Sequence, residues 1–329
     1  MMGSKSRMQG KVSPEPNATQ VYVGIDVCKE RLDVYLHPVG KTVSVNNDPN
    51  GIKRLKRLLK PHNVALVVME ATGKLHRLAH RSLSASGFRV AVVNPLRSRL
   101  FAEAIGILAK TDRVDARMLA ILGDTLDPAV TEPPSELLEG LQELVRGRQA
   151  ATDERTTLLN RRGASKTKCL IRELNRQARA LETSLSHLDA EIKRLIQSDP
   201  CLARRFEILV SIPGVGDVIA AAIVGELREI GTLSAKETGM LAGLAPIACD
   251  TGDTIGARHI RGGRAHLRNS LYMGALNASR FNPALKQFHD RLVAKGKLAK
   301  VALTAVMRKL LVLANTLVRQ DRLWEPNHA

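Results

Sequence analysis

VALVVME at residues 64–70 and FRVAVVNP at 88–95 are unbroken apolar runs, and a strand apolar on successive residues must be covered on both of its faces. They therefore read as strands buried inside a layered domain. Upstream, VYVGIDV, RLDVYLHP and KTVSVNN are short runs rich in Val, Ile and Tyr, separated by few residues, as in an antiparallel meander. PNGIKRLKRLLK and TGKLHRLAHRSLSASG, the latter closed by Gly87, carry the apolar spacing of helices that link the buried strands.

Three antiparallel strands followed by two helix-linked parallel ones predict an α/β, ribonuclease H-like sheet over residues 20–128, with the first strand beside the fourth. Residues 1–19 read as a flexible leader. DPAVTEPPSE is a Pro-rich joint, after which a 4,3 spacing begins at Leu137, Leu141 and Leu144 and continues through Arg148, Ala151 and Arg155 to Leu158. A better version runs through Ile171, Leu174, Ala178, Leu181, Leu185, Leu188, Ile192 and Leu195. NRRGASKTK is the turn between them, so residues 129–200 predict a helical hairpin, either a projecting coiled coil or two helices packed on their own domain. Residues 201–326 predict a mainly α-helical domain, interrupted by TGDTIGARHIRGGRAHLR.

Fifty Lys and Arg against thirty-two Asp and Glu give a net charge of +18, the footprint of a polyanion partner, with nucleic acid ahead of an anionic membrane. The cationic field concentrates between Thr254 and Lys309, where twelve Lys or Arg stand against one acid, Asp290. Aromatics are 3% of residues, too few for binding single strands by extensive stacking, so recognition is expected to run through phosphates. Cys28, Cys169, Cys201 and Cys249 form no CxxC pair and are expected to be reduced. No apolar run approaches the roughly 18 residues of a membrane span, and the N-terminus lacks a signal-peptide core. A cytoplasmic, nucleoid-associated protein without a membrane partner is expected.

LAKTDRVDARMLA, residues 108–120, sets Asp112 and Asp115 one turn apart on a helix. Like charges at that spacing repel, so either solvent screens them or a cation lies between them. Asp26 closes the first predicted strand and Glu70 the fourth, at one sheet edge. If the helix after the fifth strand returns over that edge, the four carboxylates converge, and hard oxygen ligands suit Mg2+ or Mn2+. The alternative keeps each acid structural: Asp33, Asp48 and Asp124 lie in the same region, and an aspartate at a strand end is often a turn former or helix cap.

In LVSIPGVGDVIAAAIVGEL, residues 209–227, Pro213 starts a tight turn, and Gly214 and Gly216 bracket Val215. Glycine permits positive φ and close backbone approach, which would aim the next helix's amides at a phosphate. The spacing resembles a helix-hairpin-helix motif for DNA; the alternative is a plain connection inside a bundle.

LAGLAPIACDTGDTIGARHIRGGRAHLRNSLYMGALNASRFNP, with the later KVALTAVMRKLL, resembles the C-terminal domain of the transposases of insertion-sequence family 110, particularly its 1111 subgroup. Asp26, Glu70, Asp112 and Asp115 match the DEDD signature of that family, and the resemblance extends from Val21 to Pro326. It implies a RuvC-like recombinase that acts on donor and target double-stranded DNA as a dimer or tetramer, assembled through the coiled coil and guided by a bridge RNA. It further implies that the four carboxylates hold Mg2+ and that a C-terminal serine attacks DNA. The matching position here is Thr251, in D-T-G, with Thr254 as the alternative hydroxyl. Arg258, Arg261, Arg264 and Arg268 follow and can neutralise phosphates, as a transition-state aid or as a general electrostatic surface. His259 and His266 lack zinc spacing and suit phosphate hydrogen bonding. A junction nuclease using water, or a binding scaffold that keeps the fold, are the competing functions.

Overall fold

The computed structural model describes residues 19–106, 112–252, 256 and 258–326. The chain divides into two compact units, Met1–Pro134 and Ser135–Ala329. Most of the leader and Thr254 lie outside the described residues.

The first unit is built from β1 (Val21–Val27), β2 (Arg31–His37), β3 (Lys41–Asn46), α1 (Pro49–Leu59), β4 (Val64–Glu70), α2 (Arg77–Ser84), β5 (Val90–Val93), α3 (Pro95–Ala104) and α4 (Asp112–Leu126). The five-stranded sheet has the order β3-β2-β1-β4-β5, antiparallel among the first three strands and parallel from β1 through β4 to β5. These are the order and directions expected of a ribonuclease H-like sheet, with β1 beside β4.

Each face of the sheet has its own cover. Val21, Val23, Ile25 and Val27 pack with Leu55 of α1 and Leu83 of α2. Tyr22, Leu66 and Val68 pack with Met118, Leu119 and Leu122 of α4 on the other face. Asp48 caps α1 by accepting from the Gly51 amide at 2.6 Å, with Pro49 at the first helical position, so this acid is a helix cap. Beyond α4, Thr131 is stitched to β5: its amide donates to Val90 O and its hydroxyl accepts from the Val92 amide. The Pro-rich segment thereby covers an edge strand's open hydrogen-bonding groups.

The second unit contains α5 (Glu136–Ala164), α6 (Lys168–Gln197), α7 (Pro200–Val210), α8 (Asp217–Glu226), α9 (Ala235–Leu241), β6 (Pro246–Ile247), β7 (His259–Ile260), α10 (Ala265–Phe281), α11 (Pro283–Ala294) and α12 (Ala299–Arg319). β6 and β7 form a small antiparallel ribbon. α5 and α6 pair with each other, and the 4,3 positions of α6 face inward: Leu174, Ala178 and Ile192 are buried, and Leu181, Leu185 and Leu188 half-buried. Ion pairs tie the two helices together where the apolar seam of α5 thins, Arg148 with Asp189 and Arg155 with Glu182. At the base of the hairpin Glu226 is almost fully buried, and Arg146 closes on it with two hydrogen bonds, one of them 2.9 Å long. A buried carboxylate needs such a partner.

α12 corrects one sequence expectation. Among the described residues it is the one helix long and apolar enough to cross a membrane by length and composition. Arg308 and Lys309 break the run in sequence but leave its average hydropathy high. Val306, Leu310, Leu311 and Ala314 of this helix are fully buried in the unit's core.

Candidate functional site

The acidic edge is set by strand register. β1 and β4 pair in parallel up to Ile25 opposite Met69, so Asp26 and Glu70 are the next residues along neighbouring strands. Side chains alternate across a strand, which puts Asp26 on the face of Tyr22 and Gly24, and Glu70 on the face of Leu66 and Val68. That face is the one α4 covers.

Gly24 fixes the approach of α4. A Cβ there would lie 1.9 Å from Ala116 O and 2.4 Å from Ala120 N, so helix and strand backbones meet with no room for a side chain. Further along α4, Gly123 sits against Val68 and Tyr22. The helix therefore runs antiparallel to β1, and its N-terminal turn, with Asp112 and Asp115, points toward the strand ends that carry Asp26 and Glu70. Asp115, directly before Ala116, is half-buried; the side chain of Asp112 lies outside the described residues.

Two neighbours shape this edge. Ser98 of α3 is buried, and its hydroxyl donates to Glu70 Oε2 at 2.9 Å. Asp33 of β2 stands directly opposite Asp26, and ligand atoms of Asp26, Cys28 and Asp33 all lie within 4.8 Å of one another. Two carboxylates at that separation repel by about 3 kcal/mol at an effective dielectric of about 20, so the edge attracts cations. Arg31 supplies one, 2.8 Å from Asp33 Oδ2. Asp124 is instead placed by His37, 3.5 Å away. The acidic cluster is compatible with a divalent cation.

In the second unit the ribbon carries a loop with Thr251 on its exposed surface. Asp250 anchors that loop: both its oxygens accept from Arg258 Nη1 at 2.8 Å, and Oδ1 also accepts from the Gly256 amide at 3.1 Å. A Cβ at Gly256 would fall 2.0 Å from Cys249 O, which keeps the two arms of the loop close. Arg264 turns inward, with 2.7 Å hydrogen bonds to both oxygens of Glu229 and a third to Glu226 O at 2.8 Å. Burial pushes Glu229 up, but these hydrogen bonds hold its carboxyl below the usual range. Arg268 donates to Gly262 O at 2.6 Å and so secures the RGGR turn against the end of α9. Arg261, His259 and His266 are exposed.

The IPGVG turn joins α7 to α8. Gly214 has φ +100°, and a Cβ there would meet Ala278 Cα of α10 at 2.6 Å; Val215 is buried. Gly214 thus answers an internal contact, and Pro213 is half-buried beside it. Gly216 is the exposed N-cap of α8 and leaves the helix start without a side-chain cap.

Sequence reasoning passed over Gly24, Ser98 and Asp33 as site residues. A glycine inside a strand was a usable signal for Gly24, and the register opposite Asp26 would have found Asp33. Ser98 carries no pattern.

Comparison with known proteins places this geometry. Residues 23–164 match a transposase family model of the DEDD type of insertion sequence 110, and residues 206–290 match the transposase IS116/IS110/IS902 family. A pilin gene-inverting protein of Moraxella bovis is 30% identical over 317 residues, covering 92% of this chain and 97% of the relative. The protein of the same name from Moraxella lacunata aligns equally well, at 30% identity over 317 residues. An insertion element IS110 protein of Streptomyces coelicolor is 27% identical over 179 residues, 53% of this chain and 42% of the relative. Fold, acidic edge and relatives define a DNA transposase or recombinase. The chain belongs to the IS110 family of transposases.

Proposed function

We propose that the enzyme cuts and rejoins DNA with Asp26, Glu70, Asp112 and Asp115 holding Mg2+ or Mn2+ and with the Thr251 hydroxyl as nucleophile. The observation that carries this reading is the antiparallel run of α4 over β1, enforced at Gly24, which directs the helix start toward the edge of Asp26 and Glu70. An all-oxygen donor set suits a hard divalent cation; Cys28 is the soft exception at its rim. When bound, such a cation polarises a scissile phosphate and stabilises charge on a departing oxygen.

The chain's own groups supply the remainder. Thr251 Oγ1 attacks phosphorus, the new O–P bond replaces the P–O3′ bond, and the hydroxyl proton ends on the released 3′ oxygen. The β-methyl of threonine restricts χ1, and the Asp250–Arg258 pair offsets this by holding the loop that presents the hydroxyl. Exposed Arg261 and the uncapped start of α8, with Gly216 beside Pro213, Gly214 and Val215, meet backbone phosphates as a helix-hairpin-helix would. Arg258, Arg264 and Arg268 act chiefly by holding the loops in place.

Phosphate contacts position DNA without reading its sequence, so target choice is assigned to a guide (bridge) RNA, in keeping with the family. Assembly of a dimer or tetramer through the helical hairpin is part of the same reading, in keeping with the family, while the 4,3 stripe of α6 itself packs on α5. The test is a denaturing gel of protein incubated with element-end DNA and Mg2+. The parent protein should form a covalent adduct and Thr251→Ala should not; cleavage by Thr251→Ala at the parent rate without any adduct in the parent would assign the nucleophile to water. Sequencing the RNA that copurifies tests the guide.

A further inference from the structure

Beside the ribbon lies a cleft of about 590 Å³, within the range of ligand sites, which spans about 300–1,000 Å³. Its apolar lining comes from Leu244, Ile260, Val301, Ala305 and Val312, and its cations from Arg258, Lys300, Arg308 and Lys309. Arg258 is engaged by Asp250, but among the described residues no carboxylate pairs with Lys300, Arg308 or Lys309. The Lys309 ammonium sits 4.6 Å from the centre of the Phe288 ring, which holds the charge in place without neutralising it.

A second recess, of about 220 Å³, shares Phe288 and Lys309 with the cleft and adds Asn282, Gln287 and Arg291. Asn282 is fully buried at 0% exposure. Its Oδ1 accepts from the Leu285 amide at 3.2 Å and caps α11, which fixes the orientation of the side-chain amide. Its Nδ2 has no hydrogen-bond partner among the described residues. A buried donor without an acceptor, in a recess also lined by the Lys309 ammonium and the Arg291 guanidinium, suits an anionic group.

We propose that the two cavities form a subsite for one unpaired nucleotide of the DNA strand handled at Thr251, with the base in the apolar cleft and its phosphate on Lys309, Arg291 and Asn282 Nδ2. DNA is the occupant because Arg258, His259 and Ile260 of the lining belong to the same ribbon and loop that carry Thr251. In this respect the subsite rests on the proposed role of Thr251. An apolar slot flanked by cations suits a base removed from its stack, and the energetic cost of unstacking favours positions that are already unpaired.

The experiment uses the full-length protein and duplex DNA carrying a single unpaired 2-aminopurine, the same duplex fully paired, and an RNA duplex with the same bulge. Binding is followed by anisotropy and by 2-aminopurine emission. The parent should bind the bulged DNA about tenfold more tightly than the paired duplex and change its emission on binding. Val301 is 52% exposed, so Val301→Trp can fill the cleft from its mouth without disturbing the core. Asn282→Asp keeps the helix cap and replaces the donor by a charge. Each variant, with folding checked by circular dichroism, should abolish the preference. No preference in the parent, its persistence in either variant, or stronger binding of bulged RNA would overturn the subsite. Thr251→Ala, run alongside, should lose the adduct and keep the preference; an intact adduct overturns the nucleophile reading and leaves the binding ratio as the test of the cleft.

Discussion

At the scale of single residues, Gly24 and Ser98 show how the acidic edge is kept in shape. A methyl group at position 24 collides with the backbone of α4, which has no side-chain freedom to yield. Gly24→Ala should cost about 3 kcal/mol or more, read as a lowered midpoint in urea unfolding. Ser98→Ala removes a hydroxyl that holds Glu70. Its expected effect is a cleavage rate lowered about tenfold at limiting Mg2+, with a raised metal concentration for half-activation. A purely structural role would leave that concentration unchanged. His76 offers a pH readout: desolvation, His80 and Arg77 together lower its pKa to about 4 from 6.5. Between those values the unfolded chain binds more protons than the folded one, so stability falls as pH drops from 6.5 toward 4. His76→Asn should flatten the dependence of Tm on pH in that window.

At the scale of elements, the strands were the most legible part, because continuous and alternating apolar runs separate buried strands from half-buried ones before any contact is known. The 4,3 stripe of α6 was equally readable and does face inward. What the pattern could not carry was the partner of each arginine. Arg264 and Arg268 read as phosphate ligands in a basic run, yet Glu229 and the Gly262 carbonyl claim them through contacts that only folding creates. Gly214 likewise read as a phosphate-facing glycine, and the backbone of α10 explains it instead. The contact between α5 and α8 supplies a prediction of its own. Arg146→Ala leaves the Glu226 carboxylate buried without its guanidinium, which should cost about 3–5 kcal/mol and lower the urea midpoint. Arg146→Lys should recover part of the loss, because lysine restores charge but not the paired geometry.

At the scale of the whole molecule, a net charge of +18 dominates the encounter with DNA. Binding should weaken steeply as salt rises, with a slope of log K on log salt close to 0.9 per phosphate neutralised. Substituting the carboxylates removes no positive charge, so it should leave that slope unchanged. The shared edge of Asp26 and Glu70 was legible in the sequence from the strand order, whereas the register that makes them the next residues after Ile25 and Met69, and the close approach of α4 at Gly24, are set by contacts that only folding creates. The decisive measurement is strand cleavage by Asp26→Asn alongside its DNA affinity, in Mg2+ and at matched salt. The account predicts cleavage lost and affinity retained; cleavage at the parent rate would contradict the metal site at the edge of β1 and β4.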